Sequence, residues 1–190
     1  MKAEKRYLDL EIDEIRSDAD AMIVSGFALK YNKPSKLIYG EFVEYIDKRA
    51  LDGVNLDNTF LLFNHNTDHV LGNTKSGTLQ LTNTADGLRF RAELPDTQRA
   101  RETYTLIKRG DVSGMSFAFT TKADTWNTNV SPAERTIHSI GNLSEISIVP
   151  VPAYPDTEVS ARALNFLHEC KECKSIHLAE AKQILKEVTK

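Results

Sequence analysis

Residues 110–119 of the chain, GDVSGMSFAF, combine a glycine typical of a helix end with a run in which large and small residues alternate. Successive side chains of a strand point to opposite faces, which sorts these residues into two sets. The bulky face carries Ser113, Met115, Phe117 and Phe119, and the small face carries Gly114, Ser116, Ala118 and Thr120. The bulky face is typical of a core. The small face leaves room for another chain to lie against the hydroxyl of Ser116, which is either a nucleophile or a small residue at a closely packed sheet.

Most of the chain shows short apolar runs bounded by turn residues, which predict strands. The predicted strands cover residues 7–12, 21–29, 38–46, 59–63, 72–75, 77–82, 88–94, 117–121, 135–140 and 143–149. A helix is expected after Pro95, started by Asp96 or Thr97 and ended by Lys108, Arg109 and Gly110. A helical tail is expected from residue 156 or 157 onward. This order predicts a mainly β fold with helices (α+β), built as a largely antiparallel barrel or sheet with covering helices.

The length of 190 residues fits one domain with a real core, with or without appended tails. A formal net charge of -3 argues against a general nucleic-acid binder, which needs a basic surface. No apolar run approaches the length of a membrane span, and the N-terminal residues do not form an apolar signal core. With only two cysteines, these features predict a cytoplasmic protein without a disulfide framework.

Three histidines and one glutamate are candidates to support a nucleophilic serine. His65 follows the apolar run 60–63, where buried structure gives way to loop, and an imidazole with a pKa of about 6.5 suits a general base. His69 competes for that role from a more polar stretch. Glu145 alternates with the apolar residues of strand 143–149, and its carboxylate can orient an imidazole and stabilise the imidazolium. His138 is the alternative orienting residue, and each of these side chains also has a purely structural interpretation.

The expected helical tail contains a group of residues that could bind a metal ion. Its metal-type side chains are His168, Cys170, Cys173 and His177. Their spacing is compatible with zinc, but structural zinc sites usually join separate elements, whereas these four lie in one short segment. We therefore predict no metal and no cofactor, and keep a zinc-stabilised interaction module as an alternative.

Several motifs together resemble the prohead (capsid maturation) proteases of tailed bacteriophages, serine peptidases related in fold to the herpesvirus assemblins. The motifs are LFNH at 62–65, VLGNT at 70–74, GLRF at 87–90, RGDVSGMSFAF at 109–119 and LSEISIVPVPAYP at 143–155. The resemblance spans roughly residues 23–163. One departure is Ala118, where the family usually has glycine, and this change concerns substrate fit more than catalysis.

The resemblance implies His65 as general base, Ser116 as nucleophile and Glu145 as the residue that orients the histidine. Assemblins use a second histidine in the third role, which keeps His138 as an alternative. The resemblance also implies an assemblin-like antiparallel barrel that brings these distant positions together. It assigns no oxyanion hole, for which the backbone amides of Gly141 and Asn142, the segment after Glu145, and Arg162 are candidates.

The resemblance further implies a serine endopeptidase that cleaves phage capsid and scaffold proteins, and itself, during prohead maturation. Its partners would be the major capsid protein with its scaffolding segment, and a second copy in a dimer, without nucleic acid or membrane. It would act in the host cytoplasm, inside the assembling prohead. Residues 1–162 would form the catalytic domain and 163–190 a helical tail for targeting or self-cleavage. The alternative is a non-catalytic scaffolding or assembly protein that retains the fold, in which His65, Ser116 and Glu145 would lie far apart.

Overall fold

A computed structural model describes residues 3–9, 11–18 and 21–150. This part of the chain contains ten strands and one helix. In chain order they are β1 (Glu4–Asp9), β2 (Ile12–Asp18), β3 (Ala21–Lys30), β4 (Phe42–Ile46), β5 (Phe60–Phe63), β6 (Asn66–Asn73), β7 (Leu79–Asn83), β8 (Gly87–Leu94), α1 (Gln98–Arg109), β9 (Gly114–Asn127) and β10 (Ala133–Val149). The predicted helical tail, the division at residue 162 and the candidate zinc segment lie outside the described residues.

The strands form two sheets. The first has six strands in the order β1-β9-β10-β5-β6, with β4 also paired to β10, and the second has the order β2-β3-β8-β7. All neighbours are antiparallel except β4 and β5, which lie parallel to β10. The prediction of a mainly β fold is therefore confirmed, and antiparallel pairing holds for most strands.

The predicted closed barrel is wrong for the described residues. Their pairing ends at β1 and β6 in one sheet and at β2 and β7 in the other, so both sheets are open. One core cluster contains buried side chains from both sheets, including Val24 and Phe90 from the second sheet and Met115 and Ile146 from the first. Alternating large and small residues identify the buried face of a strand. A closed barrel and two sheets that share a core show the same alternation, so the sequence could not distinguish them.

Several predicted strand boundaries are also wrong. Strand β6 covers Asn66–Asn73 rather than 72–75, β4 begins at Phe42 rather than at residue 38, and β9 is longer than the predicted 117–121. The run 7–12 is divided between β1 in the first sheet and β2 in the second, and the runs 135–140 and 143–149 form the single strand β10. The crossing between β1 and β2 passes close to Gly26, where a Cβ atom would lie 2.1 Å from the backbone oxygen of Glu11. The pairing of β10 with β9 shifts register several times between Ile137 and Glu145, because bulges let a long strand bend.

Helix α1 has the predicted ends. The Thr97 side chain accepts a hydrogen bond from the Ala100 backbone N–H, and Gly110, with φ 81°, donates its N–H to the carbonyls of Ile107 and Leu106. Ala100 and Ile107 are buried in the core, and the chain then enters β9 at Gly114. No helix in the described part of the chain is both long and apolar enough to cross a membrane.

A buried group of four charges joins β1, β4 and β10. Arg6 forms two hydrogen bonds to Glu44, at 2.5 and 2.7 Å, and one to Glu4 at 2.6 Å. Arg135 lies 2.7 Å from Glu4 and 2.8 Å from Glu44. Burial alone would raise the pKa of Glu4, but the hydrogen bond from Arg135 and the charges of Arg6 and Arg135 outweigh it and lower the pKa from 4.5 to about 2. The two cations and two anions balance, as buried charges require.

Candidate active site

Ser116 lies on an interior strand of the first sheet. Its Cα position is paired with Tyr7 of β1 on one side and with Ser147 of β10 on the other. Directly paired side chains lie on the same face of a sheet, and the next row on this face pairs Lys5, Ala118 and Glu145. Met115, Phe117 and Phe119 are in the core cluster, as predicted for the bulky face, but the expectation of an open small face is wrong, because Ala118 and Ser116 are buried as well. Ser116 and Ser147 are fully buried.

The position of β9 limits how a substrate could bind. An extended peptide that adds a strand beside the serine strand needs a free edge. Strands β1 and β10 occupy both edges of β9 around Ser116, so that mode of binding is not available in this structure. Ser113 precedes β9 and is half-buried.

His65 lies in the two-residue turn between β5 and β6. Asn64 and His65 have φ values of 52° and 57°, and Phe63 pairs with Asn66 across the hairpin. Two consecutive left-handed residues are what the tightest hairpin turns require, and both residue types tolerate this conformation better than most. The backbone N–H of Asn64 donates to the carbonyl of Ile148 at 2.9 Å. The turn is therefore fixed to β10, the strand that carries Glu145.

The side chains of His65 and Glu145 meet in a short hydrogen bond. Nδ1 of His65 lies 2.5 Å from Oε1 of Glu145, and the Ser147 hydroxyl donates to Oε2 of the same carboxylate at 2.9 Å. The His65 and Glu145 side chains are 9% and 11% exposed. Only one of the two oxygens faces the imidazole because Ser147 holds the other.

The carboxyl group of Glu145 is ionised near neutral pH. Burial alone would raise its pKa, but the hydrogen bond to His65, the His65 charge, the Ser147 hydroxyl and the charge of Lys5 together lower it. An ionised carboxylate only accepts hydrogen bonds, so Nδ1 of His65 carries the proton that it donates. In the neutral imidazole Nε2 is then the unprotonated nitrogen, free to accept a proton.

Two atoms in this region lack hydrogen-bond partners. Among the described residues, the buried side-chain nitrogen and oxygen atoms without a partner are Nε2 of His65 and Oγ of Ser116. Buried polar atoms are nearly always paired, and exceptions are common where a group must react. The ring of Tyr7 links the two residues, because Tyr7 pairs with Ser116 and its ring centroid lies 5.7 Å from that of His65. A potential base and a potential nucleophile thus occupy one region of the sheet.

The comparisons with known proteins agree with this chemistry. The sequence model of the family described as caudovirus prohead serine protease matches residues 8–171. The chain belongs to this family of serine proteases. The resemblance identified in the sequence is therefore confirmed. No curated protein sequence matches the chain significantly.

A solved structure also resembles this prohead protease family member. It is the capsid assembly protease gp21 of bacteriophage T4, with a TM-score of 0.53 and 11% sequence identity. The match covers 78% of this chain and 97% of the T4 chain. At this identity the likeness concerns the fold alone.

The other candidate histidines lie elsewhere in the described structure. Nε2 of His138 lies 2.8 Å from the Thr125 hydroxyl, and seven positions of the bulged strand β10 separate His138 from Glu145, at most about 23 Å at the rise of a strand. His69 packs against the ring of Phe63 and lies 3.4 Å from the Thr103 hydroxyl. Neither approaches the carboxylate that binds His65.

Of the proposed oxyanion donors, the Gly141 and Asn142 amides are not brought to Ser116, and the proline-rich segment after Glu145 lies largely outside the described residues. Asn142 pairs with Thr120, which is four positions along β9 from Ser116, or about 13 Å. The backbone amides of Gly141 and Asn142 are therefore too far away to contact a group bound at the hydroxyl. Arg162 lies outside the described residues, as do the four metal-type side chains of the tail. No group of three or more potential metal ligands occurs among the residues that the structure describes.

Sequence reasoning did not assign roles to Tyr7, Lys5 or Ser147. Ser147 was already on the same predicted face as Glu145, two residues away, so its proximity to the carboxylate was detectable. Tyr7 and Lys5 gave no signal, because only the pairing of β1 with β9 brings them to Ser116.

Proposed function

We propose that the protein is a serine endopeptidase in which Ser116 is the nucleophile, His65 the general base and Glu145 the residue that orients the histidine. The observation that carries this proposal is the hydrogen bond between Nδ1 of His65 and Oε1 of Glu145. This hydrogen bond leaves Nε2 of His65 free to accept a proton. On the nearby strand β9, the buried hydroxyl of Ser116 has no hydrogen-bond partner among the described residues. The alternative of a non-catalytic assembly protein predicts that these side chains lie far apart, whereas those of His65 and Glu145 are hydrogen-bonded.

The proposed reaction is acyl transfer. The Ser116 oxygen attacks the carbonyl carbon of the scissile peptide bond while its proton moves to Nε2 of His65. The imidazolium then gives this proton to the leaving amine. Water next attacks the acyl-enzyme while His65 takes its proton, and His65 returns this proton to the Ser116 oxygen as the acid product leaves. The ionised Glu145 stabilises the imidazolium through Nδ1 and remains unprotonated throughout.

The substrates follow from the family. Prohead serine proteases mature the heads of tailed phages, and we propose that this protein cleaves the capsid and scaffold proteins of its phage inside the assembling prohead. Cleavage of its own chain, between the catalytic domain and residues 163–190, belongs to the same proposal, as does self-association as a dimer. Because Ser116 is fully buried in this structure, a peptide reaches its hydroxyl only when this face of the sheet opens.

The test is co-expression of the protease with the precursor of its capsid protein. Ser116→Ala should abolish cleavage, as judged by the mass of the capsid protein, and should retain the circular dichroism spectrum of the parent. Ser113→Ala is the matched control and should still cleave. Full processing by the Ser116→Ala variant would remove Ser116 from the mechanism, and an intact mass of the wild-type protease itself would exclude self-cleavage.

A further inference from the structure

We infer that Tyr7 is a positioning residue for His65, and that strand β1 thereby completes the active site. This inference rests on the proposed function, since it assigns to Tyr7 the task of holding the general base. Tyr7 lies just before residues 8–171, which match the family, so the role concerns a part of the chain outside that match.

Tyr7 is the β1 residue that faces the candidate nucleophile. Its Cα position pairs directly with Ser116, so the two side chains leave the sheet on the same face. On the other side of Ser116 the paired residue is Ser147, the hydrogen-bond donor to Glu145. Tyr7, Ser116 and Ser147 thus form one row across three strands.

The ring of Tyr7 packs against the imidazole of His65. The two ring centroids are 5.7 Å apart and the planes meet at 85°, within the range of favourable edge-to-face contacts. His65 lies in a two-residue turn, and its side chain is 9% exposed, so the atoms packed around the ring decide its orientation. Its hydrogen bond to Glu145 fixes Nδ1 but leaves the ring able to pivot about that bond. A second contact on the ring limits this rotation and so sets the direction in which Nε2 points.

The position of Tyr7 is itself fixed from the opposite face of β1. The preceding residue, Arg6, points away from Ser116 and is held by Glu44 and Glu4 through three hydrogen bonds. A slip of β1 by one residue would place Arg6 or Leu8 opposite Ser116 and would separate these buried charges. The buried ion pairs therefore keep Tyr7 in the row with Ser116.

The kinetic test compares three variants on a peptide substrate. Tyr7→Ala should lower kcat by about 10- to 100-fold with little change in KM, because a misplaced base slows the chemical step rather than binding. Tyr7→Phe keeps the ring and should restore most of kcat. Leu8→Ala is the matched control, since Leu8 lies on the other face of β1, pairs with Met115 and packs against the core. Leu8→Ala should weaken the packing of β1 but should not lower kcat as Tyr7→Ala does.

Two kinetic outcomes would overturn the inference. One is a wild-type kcat in Tyr7→Ala, and the other is an equal loss of kcat in Leu8→Ala, which would reduce Tyr7 to general support of β1. Thermal unfolding of all variants identifies any that fail to fold.

An NMR measurement, which does not depend on catalysis, separates this inference from the proposed function. The hydrogen bond to the ionised Glu145 should give the Nδ1 proton of His65 a downfield NMR resonance, assigned by its loss in His65→Gln. We expect this resonance to broaden or vanish in Tyr7→Ala and to persist in Tyr7→Phe and Leu8→Ala. An unchanged resonance in Tyr7→Ala overturns the role of Tyr7 even if the enzyme is active. If the wild type cleaves nothing while the resonance responds as expected, the proposed function fails and the contact stands.

Discussion

Oε1 of Glu145, on the last described strand, lies 2.5 Å from Nδ1 of His65, which is 80 residues earlier in a turn of the same sheet. Strand β10 brings them together, because it pairs with β5, the strand that precedes the turn, and accepts a hydrogen bond from Asn64 within the turn. The same strand pairs with β9, where Ser116 lies opposite Ser147. One strand therefore connects the candidate base, its carboxylate and the candidate nucleophile.

Glu145→Gln should lower kcat by roughly 10²- to 10⁴-fold while the protein stays folded. The amide has the shape of the carboxylate but lacks its charge, so it neither stabilises the imidazolium nor selects the tautomer with a free Nε2. Steady-state kinetics on a capsid-derived peptide measures this. His138→Gln removes the alternative orienting residue and should leave kcat unchanged, and the reverse pattern would give the third role to His138.

Ser147→Ala should make the protein less stable and raise the pKa of Glu145. The variant removes the donor to Oε2 and leaves a buried acceptor, at a cost of about 1–3 kcal/mol. Because the pKa of Glu145 is lower in the folded state than in the unfolded state, its ionised carboxylate stabilises the fold above the unfolded-state pKa. This stabilisation is lost as pH falls through the folded-state pKa. Urea unfolding at several acidic pH values should therefore show a smaller acid-dependent loss in the variant than in the wild type.

The control for that experiment is Ser144→Ala. Its hydroxyl donates to the carbonyl of Ala118 at 3.2 Å, so this variant also loses one hydrogen bond from β10. The Ser144 hydroxyl is not hydrogen-bonded to the Glu145 carboxylate, so the pH dependence should match that of the wild type. Equal pH profiles for all three proteins would show that Ser147 does not tune the carboxylate.

Arg135→Met should destabilise the protein by about 3–5 kcal/mol. The substitution leaves the carboxylates of Glu4 and Glu44 buried with one cation instead of two. Denaturant unfolding measures the change. Arg16→Met is the comparison, because Arg16 pairs with Glu14 at the surface, where such pairs contribute about 1 kcal/mol or less. Similar losses in both variants would mean that the buried group does not stabilise the fold.

The buried Glu4 should make the fold sensitive to strong acid. Its pKa of about 2 lies below the ordinary 4.5, so its stabilisation is complete above pH 4.5 and is lost as pH falls through 2. The difference corresponds to about 3 kcal/mol. Unfolding free energies measured from pH 6 down to 2 should fall accordingly, and Glu4→Gln should flatten this decline. A decline of the same size in Glu4→Gln would assign it to other carboxyl groups.

The sequence predicted the local structure around the candidate nucleophile well. The caps of α1 at Thr97 and Gly110 were correct, because capping depends on residues within one turn of each helix end. The alternation along 113–119 also separated Ser116 from the core residues correctly. Both features are local, so they can be seen without knowledge of the strand partners.

The order and pairing of the strands were harder to predict from the sequence. The sequence contained no sign that the run 7–12 supplies strands to two different sheets, or that β4 and β5 pair in parallel with β10. The charges of Glu4 and Arg6 looked like an ordinary polar N-terminus, yet both side chains are buried, at 3% and 6% exposed. Burial of this kind depends on partners more than 35 residues away, which no local pattern encodes.

The sequence by itself thus determined which residues can be core, which face Ser116 occupies, and which side chains are chemically able to act. Only the tertiary structure decided that Glu145 rather than His138 meets His65, and that Tyr7 lies opposite Ser116. The physical reason is that side-chain periodicity sets a face within one strand, whereas strand order and register set which faces and rows come together. A candidate active site made from three strands and a turn exists only once those pairings are formed.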